Sequence, residues 1–145
     1  MRQYSAEEAA LLAAKWLDIF APNRKGAGTK QFLWHIFSAG RSPCLTREEA
    51  RNAYAKQAAA EFIVLSNDRA FAIETETLPD RCSLSDYYVF PRNFAWTFAV
   101  THEDGWLDGP YFAQHRDYAI LNAANLAMVK KAAAAQAARQ NGWSL

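Results

Sequence analysis

The sequence has only two cysteines, Cys44 and Cys82, in 145 residues. Two thiols make no disulfide framework, and they lack the spacing of metal ligands, so a reduced cytosolic protein is expected. Net charge is nearly absent, at +1 from 16 basic and 15 acidic residues. Such a balance creates no global field to draw nucleic acid or an anionic membrane. No uncharged apolar run is long enough to cross a bilayer. The first apolar stretch carries Glu7, Glu8, Lys15 and Asp18, unlike a signal peptide. A Walker loop, a dinucleotide fingerprint, G-x-S-x-G and a CxxC pair are all missing. Gly26-Ala27-Gly28-Thr29-Lys30 lacks the preceding strand and the spacing of a phosphate loop. No cofactor and no membrane partner are therefore expected.

What is abundant is apolar and aromatic. At 51% hydrophobic and 14% aromatic residues, the chain can bury a substantial core, and its length fits one domain over residues 1–145. Ser5-Ala6-Glu7-Glu8 reads as a capping box. The helix behind it sets Leu12, Trp16, Ile19 and Phe20 on one face, and Pro22 ends it. Phe32–Ser38 reads as a strand with bulky residues on both sides, hence covered on both. Thr46-Arg47-Glu48-Glu49 is a second capping box, opening a helix to about Ala59 with Ala50, Ala53, Tyr54 and Gln57 on one face.

The period then changes to two. Glu61–Leu65 and Phe71–Thr75 form one hairpin across Ser66–Arg69. Tyr87–Phe90 and Phe94–Thr101 form another across Pro91-Arg92-Asn93. Along the last run Phe94, Trp96, Phe98 and Val100 point one way, into the core. Ala95, Thr97, Ala99 and Thr101 point the other, to solvent or something small. An alanine-rich helix follows over about 116–140, with Asn141-Gly142 as its stop. Its apolar contacts are Tyr118, Leu121, Met128 and Val129, and beyond them alanine buries little. The predicted fold is α+β. One antiparallel sheet of four to five strands is packed on one face by helices, in the order α-β-α-β-β-β-β-α.

Candidate sites gather after the last predicted strand. Trp106, Gly109, Pro110, Tyr111 and Phe112 form an aromatic Gly/Pro loop, which suits a binding lip. The competing reading is a loop that folds back and plugs the sheet edge. His102 and Glu103 are adjacent, and with His115 they have the donor types of a zinc site, though in no known metal spacing. The competing reading makes His102 a hydrogen-bonded residue at a sheet end. Trp34-His35 reads as core. Cys44, just before a helix, is a candidate nucleophile with His35 or His102, but no Cys-His protease signature surrounds it. Glu74, Glu76 and Asp86 read as solvated surface acids. Arg116, Lys130, Lys131 and Arg139 stand against Asp117 alone in the last thirty residues. This basic helix offers at most a weak nucleic-acid contact, and no nucleic-acid partner is expected.

Leu33–Ser38, Cys44-Leu45, Glu49-Ala50, Phe62–Ala70, Asp86–Phe90, W-T-x3-T-H-E from Trp96 and G-P-Y-F at Gly109–Phe112 together resemble a family of small bacterial proteins, domain of unknown function family 4275. The resemblance covers about 32–112. It departs at Asp108, inserted before the Gly-Pro turn, and at the alanine-rich helix. It implies a cytosolic, bacterial protein and carries over no catalytic residues. Compact sheet-plus-helix domains often serve as binding modules, and immunity-type proteins are one such class. The expected function is a non-enzymatic protein-binding module using the loop after the last strand. Its protein partner is unidentified, and the C-terminal helix is a candidate homodimer contact. The alternative is a small metal-dependent hydrolase centred on His102, Glu103 and His115.

Overall fold

A computed structural model describes residues 2–80, 82–104 and 108–142. In chain order the elements are β1 (Arg2–Gln3), α1 (Ala6–Phe20), α2 (His35–Ser38), β2 (Leu45–Thr46), α3 (Arg47–Ala55), β3 (Phe62–Ser66), β4 (Ala72–Thr75), β5 (Tyr87–Pro91), β6 (Trp96–Val100), β7 (Tyr111–Gln114) and α4 (Tyr118–Gln140). Seven strands make one antiparallel sheet in the order β1-β4-β3-β5-β6-β7-β2. The fold is α+β as expected, but with seven strands, not four to five. The two predicted hairpins are β3–β4 and β5–β6. The sequence reading missed β7, read there as loop, and two-residue β1 and β2, which are too short to show a period. These short strands pair only Ile73–Glu74 and Tyr111–Phe112, and close the two sheet edges.

The sheet is covered on both sides, not one. Along β3, Ile63 and Leu65 enter one core with Trp16 and Phe20 of α1, while Phe62 and Val64 enter another with Tyr54 of α3. Tyr88 and Phe90 alternate with Tyr87 and Val89 in the same way. On β6 the supposed outer side is fully buried. Thr97 there accepts a 2.8 Å hydrogen bond from Trp16 Nε1 and donates to Val89 O at 3.4 Å. A hydroxyl in a dry core is tolerated because both bonds are made. Burying a side chain such as Trp16 contributes about 2–3 kcal/mol.

Phe94 lies outside β6. It sits in the β5–β6 turn at φ 56°, so it leaves the alternation and stacks on Phe90 at 4.6 Å, on the α1 side. Residues 32–38 are not a strand either. Two turns lead into α2, and the segment lies across the α1 face of the sheet. It is tied there by Leu33 N–H to Asn67 Oδ1 (3.1 Å), Trp34 N–H to Tyr88 Oη (3.0 Å), and Tyr88 O–H to Asn67 Oδ1 (2.7 Å). Its apolar residues meet α1 and the sheet at once, as Phe37 does with Trp16 at 5.8 Å and Tyr111 at 5.6 Å, which a period-two reading mistakes for a doubly covered strand.

α1 is held by its whole buried stripe. Among the described residues α4 is tied to the body mainly at its start, where Tyr118 and Leu121 pack on the α3 face and Asn93 donates to Leu121 O at 3.0 Å; of its later turns only Ala138 is buried. Asn125 Nδ2 reaches Asn93 Oδ1 at 3.2 Å. Met128 is exposed, so the contact expected of it is not made.

Candidate functional site

β6 and β7 are joined by a corner that carries most of the singular residues. After Val100 the chain turns on itself. Thr101 N–H and Oγ1–H both donate to Asp104 Oδ1, at 3.2 and 2.8 Å, and Glu103 N–H donates to Thr101 Oγ1 at 3.1 Å. From the far side, Arg47 N–H reaches Asp108 O (3.2 Å) and Pro110 O (3.0 Å), and its guanidinium reaches Asp108 Oδ1 at 3.2 Å. Gly109 precedes a cis peptide to Pro110. A Cβ at Gly109 would stand 2.5 Å from Asp104 Oδ1 and 3.0 Å from Thr101 Oγ1. This position needs glycine because the two arms of the corner touch, and that contact gives the T-H-E and G-P-Y-F motifs a shared structural reason.

Gly109, Pro110, Tyr111 and Phe112 are all buried. Tyr111 and Phe112 belong to β7; Tyr111 lies 6.3 Å from Trp34 and 5.6 Å from Phe37, and Phe112 stacks 5.7 Å from Trp96 on the opposite face. Of the set expected to form a binding lip, Tyr111 and Phe112 have their rings packed into the two cores and form no exposed lip, while Pro110 lines a cleft on the α3 side of the corner. Trp106, the remaining member of that set, lies outside the described residues.

His102 stands on the α1 side of the corner, against Phe32 (5.2 Å) and Trp34 (5.9 Å). Asp86, nearly buried, takes three donors on one oxygen: Trp34 Nε1–H (3.0 Å), His102 N–H (3.1 Å) and His102 Nδ1 (3.0 Å). A carboxylate only accepts, so it assigns a proton to Nδ1, and in the neutral ring Nε2 then carries the lone pair. Glu103 Oε1 is 3.8 Å from that Nε2. His115 is elsewhere. Its N–H bonds Ala95 O at 2.9 Å, at the opposite end of β6, and its Nδ1 accepts Asp117 N–H at 2.9 Å. At about 3.3 Å per residue, the length of β6 keeps the two imidazoles roughly 15–20 Å apart. His102, Glu103 and His115 therefore share no centre, and among the described residues no three His, Cys, Asp or Glu side chains are grouped to hold a metal. Asp86 and Glu74, read as surface acids, are both largely buried. Arg92 grips Glu74 through both its Nε and Nη2, the latter at 2.9 Å. Cys44 gains no reactivity from the nearby helix. Burial pushes its thiol up to about 11, and the Asp108 charge adds to the rise.

On the α3 side of the same corner the sheet opens into a cleft of about 520 Å3. Its floor is Tyr87, Phe98 and Val100. α3 supplies Arg51, Asn52, Tyr54 and Ala55, the β4–β5 connection supplies Leu78, Pro79 and Asp80, and the corner supplies Asp104 and Pro110. Tyr54 stacks flat on Phe98, with centroids 4.1 Å apart and planes 4° apart, and its hydroxyl donates to Pro79 O. Burial raises the Tyr87 phenol to about 12 and lifts the Asp104 carboxyl above its ordinary range. Both Tyr87 and Asp104 are half-enclosed wall groups, which burial disfavours in their charged forms. The sequence reading missed Arg51, Tyr87 and Asp104 as site residues. The one available signal was Asp104 following His102-Glu103, which places neighbouring acids on opposite faces of a turn.

The chain matches the family described as domain of unknown function (DUF4275) over residues 5–112. It belongs to that family. The match begins at the cap of α1, earlier than the resemblance at 32, and stops inside β7, so α4 lies beyond it. Both corner motifs and every residue lining the cleft fall within it. No curated protein and no solved structure matches the chain. No described helix is long and apolar enough to cross a membrane.

Proposed function

We propose that this domain is a non-enzymatic protein-binding module whose recognition surface is the cleft between α3 and the β6–β7 corner. The observation that carries the reading is the cleft itself: a concavity with aromatic walls and a few converging polar groups, able to take an anchor side chain of a partner. It moves the contact from a Gly109–Phe112 rim to the α3 side of the same corner and keeps Pro110 in its lining. An immunity-type role, neutralising a toxin, is one form of such binding, and the two free, partly buried cysteines suit a reducing cytoplasm. The experiment is site-specific photo-crosslinking in cells of the source organism. A benzophenone side chain at Asn52, on the cleft rim, should form an adduct with one protein. The same group at Leu11, 71% exposed on α1 across the sheet, should not. Absence of an adduct at 52, or the same adduct from both positions, ends the proposal.

A hydrolase is the second reading, and Asp86 on His102 Nδ1 favours it, since an oriented imidazole with a free Nε2 is the form of a general base. Turnover of p-nitrophenyl esters or phosphates that falls by about 10²–10⁴-fold in His102→Gln would support it. No turnover across such a panel would remove it.

A further inference from the structure

The binding reading leaves open what the cleft recognises. Asp104 offers an oriented carboxylate at the end of an apolar trough. Oδ1 is fixed by Thr101 N–H and Oγ1–H, and the backbone of Gly109 stands directly behind it. Oδ2 takes no donor among the described residues. Tyr54 and Phe98, stacked at 4.1 Å, form the trough with Tyr87. Asp80 lies on the same rim. A long side chain with a methylene stem and a cationic head fits this order of surfaces, because the stem covers rings while the head meets a carboxylate. The chain's own cation at the rim, Arg51, leans along α3 toward Glu48 at 3.9 Å and is 45% exposed.

We infer that the cleft takes the side chain of an arginine or lysine projecting from the protein partner, with its charged head on Asp104. The inference rests on the proposed binding function and adds its chemistry. Burial penalises the Asp104 charge more than Thr101 and Arg51 offset it, and a cation brought onto Oδ2 would offset more of that penalty. Arg51 then acts as a competitor for the same carboxylate, not as a contact for the ligand.

The test uses the full chain, labelled with 15N, and three probes: the N-acetyl N-methylamides of arginine, lysine and norleucine. The two cationic probes should shift the amides of Thr101, Asp104 and Tyr87 with millimolar affinity, and norleucine should bind at least tenfold more weakly. Asp104→Asn should weaken the cationic probes about tenfold. Arg51→Ala should tighten them threefold or more. Equal binding of norleucine, unchanged binding by Asp104→Asn, or weaker binding by Arg51→Ala overturns the inference. The same spectra report whether each variant is folded. If the adduct at Asn52 forms and the probes do not bind, the cation inference falls and the binding function stands. If the probes bind and no adduct forms, the binding function falls instead.

Discussion

Asp86 and Asp104 flank one corner, on opposite faces of one sheet, and differ in what their oxygens do. One Asp86 oxygen collects Trp34 and two groups of His102, which ties the 32–38 segment to the end of β6. Asp104 has one oxygen in the turn and its carboxyl raised by burial. A carboxylate that is saturated with donors holds a structure together. One that is half-enclosed, with a single oxygen held among the described residues, lowers stability when charged and is the one we infer to meet a cation. The difference sets the part of the corner that builds the fold against the part proposed to meet a ligand.

The sharpest way to break this distinction is Asp86→Ala. It strands the buried Trp34 Nε1–H and frees the His102 ring, so urea unfolding should show a loss of about 2–4 kcal/mol. A loss under about 0.5 kcal/mol would mean that Asp86 is no anchor. Gly109→Ala is next, at about 1–3 kcal/mol, because the new methyl meets a carboxylate that Thr101 prevents from moving. Crystallographic or NMR evidence that Asp104 simply rotates away at no cost would contradict that account. Asp104→Asn should leave stability within about 0.5 kcal/mol at acid pH, since the amide oxygen can still accept from Thr101. The native carboxyl has a folded pKa above its unfolded value. The folded state therefore binds the extra proton, and stability falls as pH rises through that interval. Asp104→Asn should remove this fall and become the more stable form at neutral pH. Glu74 has the opposite sign. Arg92 lowers its folded pKa, so its contribution is present above the unfolded pKa and is lost as pH falls through the folded one. Glu74→Gln should flatten the acid limb of the pH–stability curve that Asp104→Asn leaves intact. The smallest effect is expected from ending the chain after Leu126. Among the described residues the hydrogen bonds between α4 and the body lie at 118–125 and the later turns bury little beyond Ala138, so the melting temperature should move by less than a few degrees. A loss of cooperative folding would show that the rest of α4 packs on the domain.

Elements with a strong local rule were readable in the sequence. The Ser5 box forms as its residues require, with Glu8 N–H on Ser5 Oγ at 3.1 Å and Ser5 N–H on Glu8 Oε1 at 2.9 Å. The Thr46 box marks the right helix start for the wrong reason. Thr46 makes no side-chain cap and instead pairs with Tyr111 as part of β2. The hairpins were legible because polar turn clusters separate short apolar runs. Residues 32–38 were not, because their apolar pattern comes from packing against α1 and the sheet at once, which says nothing about local period. The site was half legible. His102, Glu103 and the Gly109 turn mark the corner in the sequence. Which side of it lies open depends on α3 and the β4–β5 connection, far away along the chain, and no spacing rule links Arg51 or Tyr54 to Asp104.

The two-residue strand Arg2–Gln3 hydrogen-bonds along β4, with Tyr4 N–H continuing the ladder to Ala72 O at 2.9 Å. So small a strip adds little energy, but it shields the outer amides and carbonyls of β4. Clipping it would leave the fold standing while baring a strand able to recruit its like from other molecules. A proteolytic nick at the amino end should therefore first be seen as slow clumping of folded protein.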